Sequence, residues 1–251
     1  MKSLIRSSLY VLLFLSIMVF SSCNQESADP TPTSNQTIGR ILPIGASRVQ
    51  GKRPDHESYR YDLWKMLVNA EKNFDFIGSQ IDESTYLTFQ GKEFDKEHQG
   101  RGGFTSVQIL ELLRNTIDQI VAELGVPDVV LLGTPGGNDG LQGLPFENAV
   151  QNTHAIIDLL QATNPNVTII IEQAAPPRST LSKELIADNE RMNEEVINIA
   201  AAQTTSTSKV ITVDMYTGFS DALLADGVHY NAAGARFIAE RYFETLNNLT
   251  D

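Results

Sequence analysis

A serine, a histidine and an aspartate are the first residues of this chain whose types and positions point to chemistry. Ser47 lies in the segment GASR at 45–48, directly after a short apolar run. Asp226 and His229 belong to the segment DGVH at 226–229. A histidine can take the proton of a serine hydroxyl, and a carboxylate can hold the imidazole in the tautomer that this requires. The three residue types therefore indicate nucleophilic catalysis through Ser47.

Two other segments carry groups that can donate hydrogen bonds to a developing oxyanion. A glycine loop, GRGGFT at 100–105, contains Gly103, and glycine lets backbone N–H groups come close to a ligand. The segment GTPGGND at 133–139 contains Asn138, whose side-chain amide is also a donor. Each feature alone has a structural explanation as a helix cap or a turn. Their coincidence in one chain favours the catalytic interpretation.

Alternating strands and helices must position these residues. Apolar runs predict strands at 40–46, 74–78, 128–133, 167–172 and 210–214. Apolar residues at helical spacing predict helices at 59–72, 106–124, 145–161, 181–202 and 232–249. This order predicts an α/β fold, a three-layer α/β/α sandwich around a five-stranded parallel sheet. Ligands bind at the carboxyl ends of such strands, and Ser47, Asn138 and His229 follow the first, third and fifth strands.

Nearly all of residues 39–247 resemble the SGNH (GDSL-like) hydrolase family. The resemblance is carried by RILPIGASRVQG, SYRYDLWKML, DFIGSQ, HQGRGGFTSVQIL, PDVVLLGTPGGND and VDMYTG…LLADGVHYNAAGARFIAERYF. It implies a flavodoxin-like sheet and a catalytic triad of Ser47, His229 and Asp226. It also implies an oxyanion hole formed by the N–H groups of Ser47 and Gly103 and the side chain of Asn138. Within the family, the layout is most similar to carbohydrate esterases that include acetyl xylan esterases.

Two positions depart from the family pattern. The aspartate that precedes the family's nucleophile is Ala46 here, so that GDS becomes GAS. Tyr230 stands after His229, where the family usually has a proline close by. Neither change removes a catalytic group, but the first removes a carboxylate beside Ser47.

The resemblance implies a serine esterase that removes a small acyl group, acetyl in the first instance, from a carbohydrate, without a metal or cofactor. One alternative is a surface carbohydrate-binding lipoprotein that has kept the fold and lost turnover, with Ala46 as the sign of that loss. Another is an esterase of the same fold that acts on lipid or aryl esters. The absence of a long apolar loop near the predicted strand ends argues against this last alternative. His56, His98 and His154 are interpreted as surface histidines.

The N-terminal residues have the layout of a secretory signal. A basic start is followed by the apolar run 9–20 and then by SSC at 21–23, which resembles a bacterial lipobox. We therefore expect a signal peptide over 1–22, a lipidated Cys23 with a disordered tether over 23–37, and the hydrolase domain over 38–251. A transmembrane helix is the alternative, although the apolar run is short for one. This layout predicts a lipid-anchored protein of the cell envelope, with the outer membrane favoured.

The charge balance narrows the classes of partner. The formal net charge is −12, which argues against binding to nucleic acid and against docking on anionic lipid head groups. Contact with a membrane is therefore expected only through the lipid anchor. A neutral ester substrate remains compatible with this surface.

Overall fold

The computed structural model describes residues 37–250, and within that range seven strands form one sheet. They are β1 (Thr37–Gly45), β2 (Asn73–Phe76), β3 (Gln80–Ile81), β4 (Glu97–Gly100), β5 (Val129–Leu132), β6 (Thr168–Gln173) and β7 (Val210–Asp214). The five predicted strands are β2, β1, β5, β6 and β7, and they pair in that order, all parallel. The predicted α/β architecture with a central parallel sheet is confirmed.

Two short strands extend this sheet beyond the prediction. β4 pairs in parallel with the end of β1, and β3 pairs antiparallel with β4. Both are mainly polar, so no apolar run in the sequence marks them. β4 is nonetheless important, because it leads directly into the glycine loop.

Helices cover both faces of the sheet. The long ones are α2 (Arg60–Asn69), α3 (Ser106–Leu124), α5 (Phe146–Thr163), α6 (Lys183–Gln203) and α7 (Ala232–Thr250), and they match the five predicted helices. Two short helices, α1 (Ser47–Gln50) and α4 (Gly137–Leu141), and a 3₁₀ turn over Asp221–Leu223 were not predicted. The two short α-helices follow β1 and β5 directly, so they begin at the sheet edge where the candidate residues lie.

Side chains of the central strands point alternately to the two faces of the sheet, and this divides the core into two halves. In β1, Ile41 packs with α2 and α7 on one face, whereas Leu42 and Ile44 pack with α3, α5 and α6 on the other. Val130 and Leu131 of β5 divide in the same way. Successive side chains of a strand point to opposite faces, so burial on both faces requires an apolar run without polar gaps.

A buried arginine joins α1 to the rest of the domain. Arg60, at the start of α2, is fully buried. Its guanidinium donates to Val49 O and Gln50 O in α1, each at 2.8 Å, and to Lys96 O at 3.4 Å. It also pairs with Asp82 at 2.8 Å. Arg60 therefore fixes α1, the helix that carries Ser47, to the start of α2.

The expected signal peptide, Cys23 and almost all of the tether lie outside the described residues. Within residues 37–250, no helix is both long enough and apolar enough to span a membrane.

Replacing Arg60 by methionine should lower the free energy of unfolding by about 3–5 kcal/mol, because Asp82 and three carbonyl oxygens lose a buried donor. Urea unfolding followed by circular dichroism measures this change. The matched control is Arg236→Met, since Arg236 pairs with Glu240 on the surface and such pairs contribute less than about 1 kcal/mol. Equal losses in the two variants would contradict the supporting role of Arg60.

Candidate active site

Ser47 is presented by a tight turn at the end of β1. β1 ends at Gly45, and a side chain there would approach Val49 Cγ2 to 2.6 Å, so this position requires glycine. α1 begins at Ser47 itself, and its short turn is closed by the N–H of Gly51 donating to Ser47 O at 2.8 Å. The Ser47 hydroxyl thereby stands at the carboxyl edge of the sheet, partly accessible to solvent.

A continuous chain of hydrogen bonds connects the three residues first identified in the sequence. Ser47 Oγ lies 2.8 Å from His229 Nε2. His229 Nδ1 lies 2.7 Å from Asp226 Oδ2. If Nδ1 carries the ring proton, Nε2 is free to accept the serine proton. The structure thus brings Ser47, His229 and Asp226 together in the order that a nucleophile, a base and an orienting acid require.

Asp226 is held as an ionised acceptor. Its Oδ1 accepts the backbone N–H groups of Val228 and His229, each at 2.8 Å. Partial burial alone would raise the pKa of Asp226, but the hydrogen bonds from the His229 side chain and from these backbone groups outweigh it and lower the pKa to about 2. The ionised carboxylate therefore contributes to the stability of the folded state above its ordinary pKa of 3.8, and this contribution is lost as the pH falls from there through about 2.

Asn138 lies in α4, and Gly103 lies in the glycine loop, where a side chain at the preceding Gly102 would come within 3.7 Å of Ser47 Cβ. Asn138 Nδ2 donates one hydrogen bond to Phe104 O at 2.8 Å, and Asn138 lines the same pocket as Ser47. Gly103 has a φ of +78°, a left-handed conformation that favours glycine. The N–H of Gly102 donates to Gln50 Oε1 at 2.7 Å, whereas the N–H of Gly103 has no partner within residues 37–250. Asn138 therefore lies at the same pocket as Ser47, and Gly103 lies in the loop next to it.

Arg48 joins the turn that carries Ser47 to the loop that carries His229. It is buried directly after Ser47, and its Nε donates to Val228 O at 2.7 Å. Its Nη1 donates to Ala175 O at 2.8 Å, beyond the end of β6. Its guanidinium also lies 4.9 Å from the centre of the Tyr230 ring. Arg48 therefore fixes the loop that carries His229 relative to Ser47.

Glu172 at the end of β6 fixes the loop that precedes Asn138. It is 1% exposed, and its Oε2 accepts the Thr134 N–H at 2.7 Å. Its Oε1 accepts the Tyr242 hydroxyl at 2.8 Å. Burial raises the pKa of Glu172, although these hydrogen bonds act in the opposite direction. Sequence reasoning missed this residue, because a single acid at the end of an apolar strand resembles an ordinary surface position.

The interpretation of the other histidines as surface residues is wrong for His98, whereas His56 and His154 are partly exposed. His98 is 1% exposed in β4, and burial lowers its pKa to about 3 while its Nδ1 accepts the Gly100 N–H. His56 is half-buried and stacks on His229, with ring centres 4.0 Å apart and planes inclined by 20°. Nothing in the sequence marks His56, since 173 positions separate it from His229.

Ala46 belongs to the wall of a pocket beside the serine. Its methyl group packs against the apolar half of the core that contains α3, α5 and α6. The pocket has a cavity volume of about 80 Å³ and opens to solvent. Most of its wall is apolar. The predicted loops are short, and the apolar surface comes instead from the ends of helices.

Within residues 37–250, no cluster of three or more histidine, cysteine, aspartate or glutamate side chains has the spacing of a metal site.

Comparison with known proteins gives the same assignment of family. Residues 71–237 match the GDSL-like Lipase/Acylhydrolase family, and the chain belongs to it. This match includes Gly103, Asn138, Asp226 and His229 but begins after Ser47. Comparison with curated protein sequences gives no match.

Solved structures with the same fold include carbohydrate esterases. A carbohydrate esterase family 3 protein from Talaromyces cellulolyticus is 26% identical, with a TM-score of 0.70, over 84% of this chain and 97% of that one. A serine-to-alanine mutant of an acetyl esterase, solved with acetate ion, is 25% identical with the same TM-score of 0.70 and the same coverages of 84% and 97%. The acetyl xylan esterase AlAXEase, 17% identical with a TM-score of 0.59 over 82% of this chain and 98% of that one, shares the fold.

Replacing Asp226 by asparagine should lower kcat for an ester substrate by about 10³–10⁴-fold. An amide at this position would donate towards His229 Nδ1 and favour the tautomer whose proton faces Ser47. Steady-state kinetics with p-nitrophenyl acetate measures the effect. The matched control is Asp221→Asn, because Asp221 lies nearby and binds Ser179 rather than a histidine. Similar small losses in both variants would contradict this role for Asp226.

Proposed function

We propose that this chain is a serine esterase that hydrolyses small acyl esters, with acetyl esters of carbohydrates as its first substrate class. The observation that carries the proposal is the unbroken hydrogen-bond chain from Ser47 Oγ through His229 to Asp226, at 2.8 and 2.7 Å. The carbohydrate and acetyl parts are supported by the two structures about one quarter identical to it, one a carbohydrate esterase and the other an acetyl esterase.

The chemistry follows from the positions of these atoms. His229 Nε2 takes the proton of Ser47 Oγ as the oxygen attacks the ester carbonyl. The alcohol then leaves with the proton held on Nε2, and an acyl-serine remains. Water attacks this acyl group while Nε2 takes a proton from the water, and Nε2 then gives that proton to Ser47 Oγ as the bond from Oγ to the acyl carbon breaks and the acid departs. Asp226 stays ionised throughout and stabilises the transient imidazolium.

The negative charge on the carbonyl oxygen would be held by three donors. They are the N–H groups of Ser47 and Gly103 and the side-chain amide of Asn138. The bond from Asn138 Nδ2 to Phe104 O leaves one proton of this amide for the substrate. Loss of a single such donor typically lowers kcat by about 10²–10³-fold.

We further propose that the enzyme acts at the cell envelope, attached through a lipid on Cys23. This part of the proposal is supported by the order of basic, apolar and small residues before the cysteine. The membrane would then be a partner through the anchor alone.

Replacing Ser47 by alanine should abolish labelling by a fluorophosphonate and acetate release from acetylated xylan, because the attacking oxygen is gone. The matched control is Ser220→Ala, since Ser220 is exposed and its side chain caps no helix. In-gel fluorescence and an acetate assay provide the two measurements. Labelling of the Ser47 variant at the parental level would contradict the proposal. Glycan binding without hydrolysis of any ester by the parent would favour the non-catalytic alternative.

A further inference from the structure

Thr134 has a backbone conformation that threonine rarely adopts. It lies two residues after the end of β5, and its φ is +47°, in the left-handed region that favours glycine. Branching at Cβ makes this region especially unfavourable for threonine. Such strain persists only where the surrounding structure holds the residue in place. The turn at Thr134 therefore depends on contacts from outside it.

Glu172 supplies these contacts from β6. Its Oε2 accepts the N–H of Thr134 at 2.7 Å and the hydroxyl of Thr134 at 3.1 Å. Its Oε1 accepts the hydroxyl of Tyr242, a residue of α7 that is fully buried, at 2.8 Å. Both oxygens of the carboxyl group are thus engaged within the core, so the side chain is fixed in its orientation towards Thr134.

The turn held in this way leads into α4, the helix that carries Asn138. The N–H of Gly137, the first residue of α4, donates to Thr134 O at 3.3 Å. Thr134 and Asn138 both line the pocket beside Ser47. A change in the backbone of Thr134 would therefore move the start of α4, and with it the side-chain amide of Asn138.

We propose that Glu172 is a positioning residue that acts through Asn138. It holds Thr134 in its strained conformation and thereby keeps the Asn138 amide where it can donate to the oxyanion. Such a donor is effective because it is already in place when the charge develops, and a misplacement of about 1 Å can lower the rate by about 10²-fold. The inference rests on the proposed function, in which Asn138 is one of three oxyanion donors.

This role requires acceptor oxygens rather than a charge. A glutamine at position 172 can place its carbonyl oxygen against both donors of Thr134, and its NH₂ group can donate to the hydroxyl oxygen of Tyr242. A leucine has a similar size but accepts no hydrogen bond. Glu172→Gln should therefore keep most of the parental kcat. Glu172→Leu should lower kcat by about 10–10²-fold with little change in KM, because the oxyanion exists only after the substrate has bound.

Steady-state kinetics with p-nitrophenyl acetate test whether Glu172 acts through Asn138. Asn138→Ala alone should lower kcat by about 10²–10³-fold. In the Asn138→Ala background, Glu172→Leu should lower kcat further by less than about twofold, because the donor that it positions is gone. The matched control is Glu190→Leu, since Glu190 also accepts a tyrosine hydroxyl, that of Tyr216, but is exposed and does not line the pocket. It should keep the parental kcat.

A second pair of variants tests the strain at Thr134. Glycine adopts positive φ values without steric cost, so it needs no support from Glu172. Thr134→Gly should therefore restore most of the kcat that Glu172→Leu loses. Circular dichroism shows whether each variant is folded. If Glu172→Leu is not folded, Glu172→Asp takes its place with the same expectations, because its carboxylate is one methylene group too short to reach Thr134.

The outcomes separate this inference from the proposed function. Parental kcat in Glu172→Leu would overturn the positioning role alone, as would equal losses from this change in the parent and in the Asn138→Ala background. A glutamine variant as slow as the leucine variant, or a leucine variant that Thr134→Gly does not restore, would also overturn it. Parental kcat in Asn138→Ala would overturn the oxyanion donor of the proposed function, and the positioning role with it.

Discussion

The site depends on one contact between distant parts of the chain. Ser47 Oγ and His229 Nε2 lie 2.8 Å apart, although 182 positions separate them. Ser47 follows β1 in the middle of the sheet, whereas His229 lies in the loop after β7, at the edge.

Three strand spacings separate β7 from β1, on the order of 14 Å. The loop after β7 must therefore cross the ends of β6 and β5. Arg48 binds it from the β1 side through Val228 O, and Arg178 binds it from the loop after β6 through Asp226 O.

Two carboxylates near the loop after β7, those of Asp226 and Glu172, differ in their exposure to solvent, and their pKa values are shifted in opposite directions. Asp226 has a side chain 54% exposed, and hydrogen bonds to its charged form prevail over burial, so its pKa falls. Glu172 is buried, and there the cost of desolvation prevails even though the carboxylate accepts three hydrogen bonds, so its pKa rises. An acid that must stabilise a transient cation needs to be ionised. An acid that joins Thr134 to Tyr242 needs only to accept hydrogen bonds.

The sequence predicted whatever depends on local pattern. Five apolar runs marked the five principal strands, and residue types at strand ends identified Ser47, Asn138 and His229. The short strands β3 and β4 were not predicted, because they have no apolar run of their own and are defined only by their pairing with other strands. The positions of Arg60 and His56 were not predicted for a related reason. Segments distant in the chain form their environment. The residue type alone does not indicate whether an arginine is buried or a histidine is stacked on another ring.

Ala46 illustrates why the fold shared with structurally similar proteins does not determine the substrate. The likeness to carbohydrate and acetyl esterases concerns the fold, and one fold accommodates many substrates. Acyl selectivity is determined by the residues that line the path away from Ser47. In this chain a methyl group stands where the resembling family has a carboxylate, and helix ends supply an apolar wall beyond it. The change to alanine therefore alters the wall of the pocket beside Ser47 and leaves the hydrogen-bonded chain of Ser47, His229 and Asp226 in place.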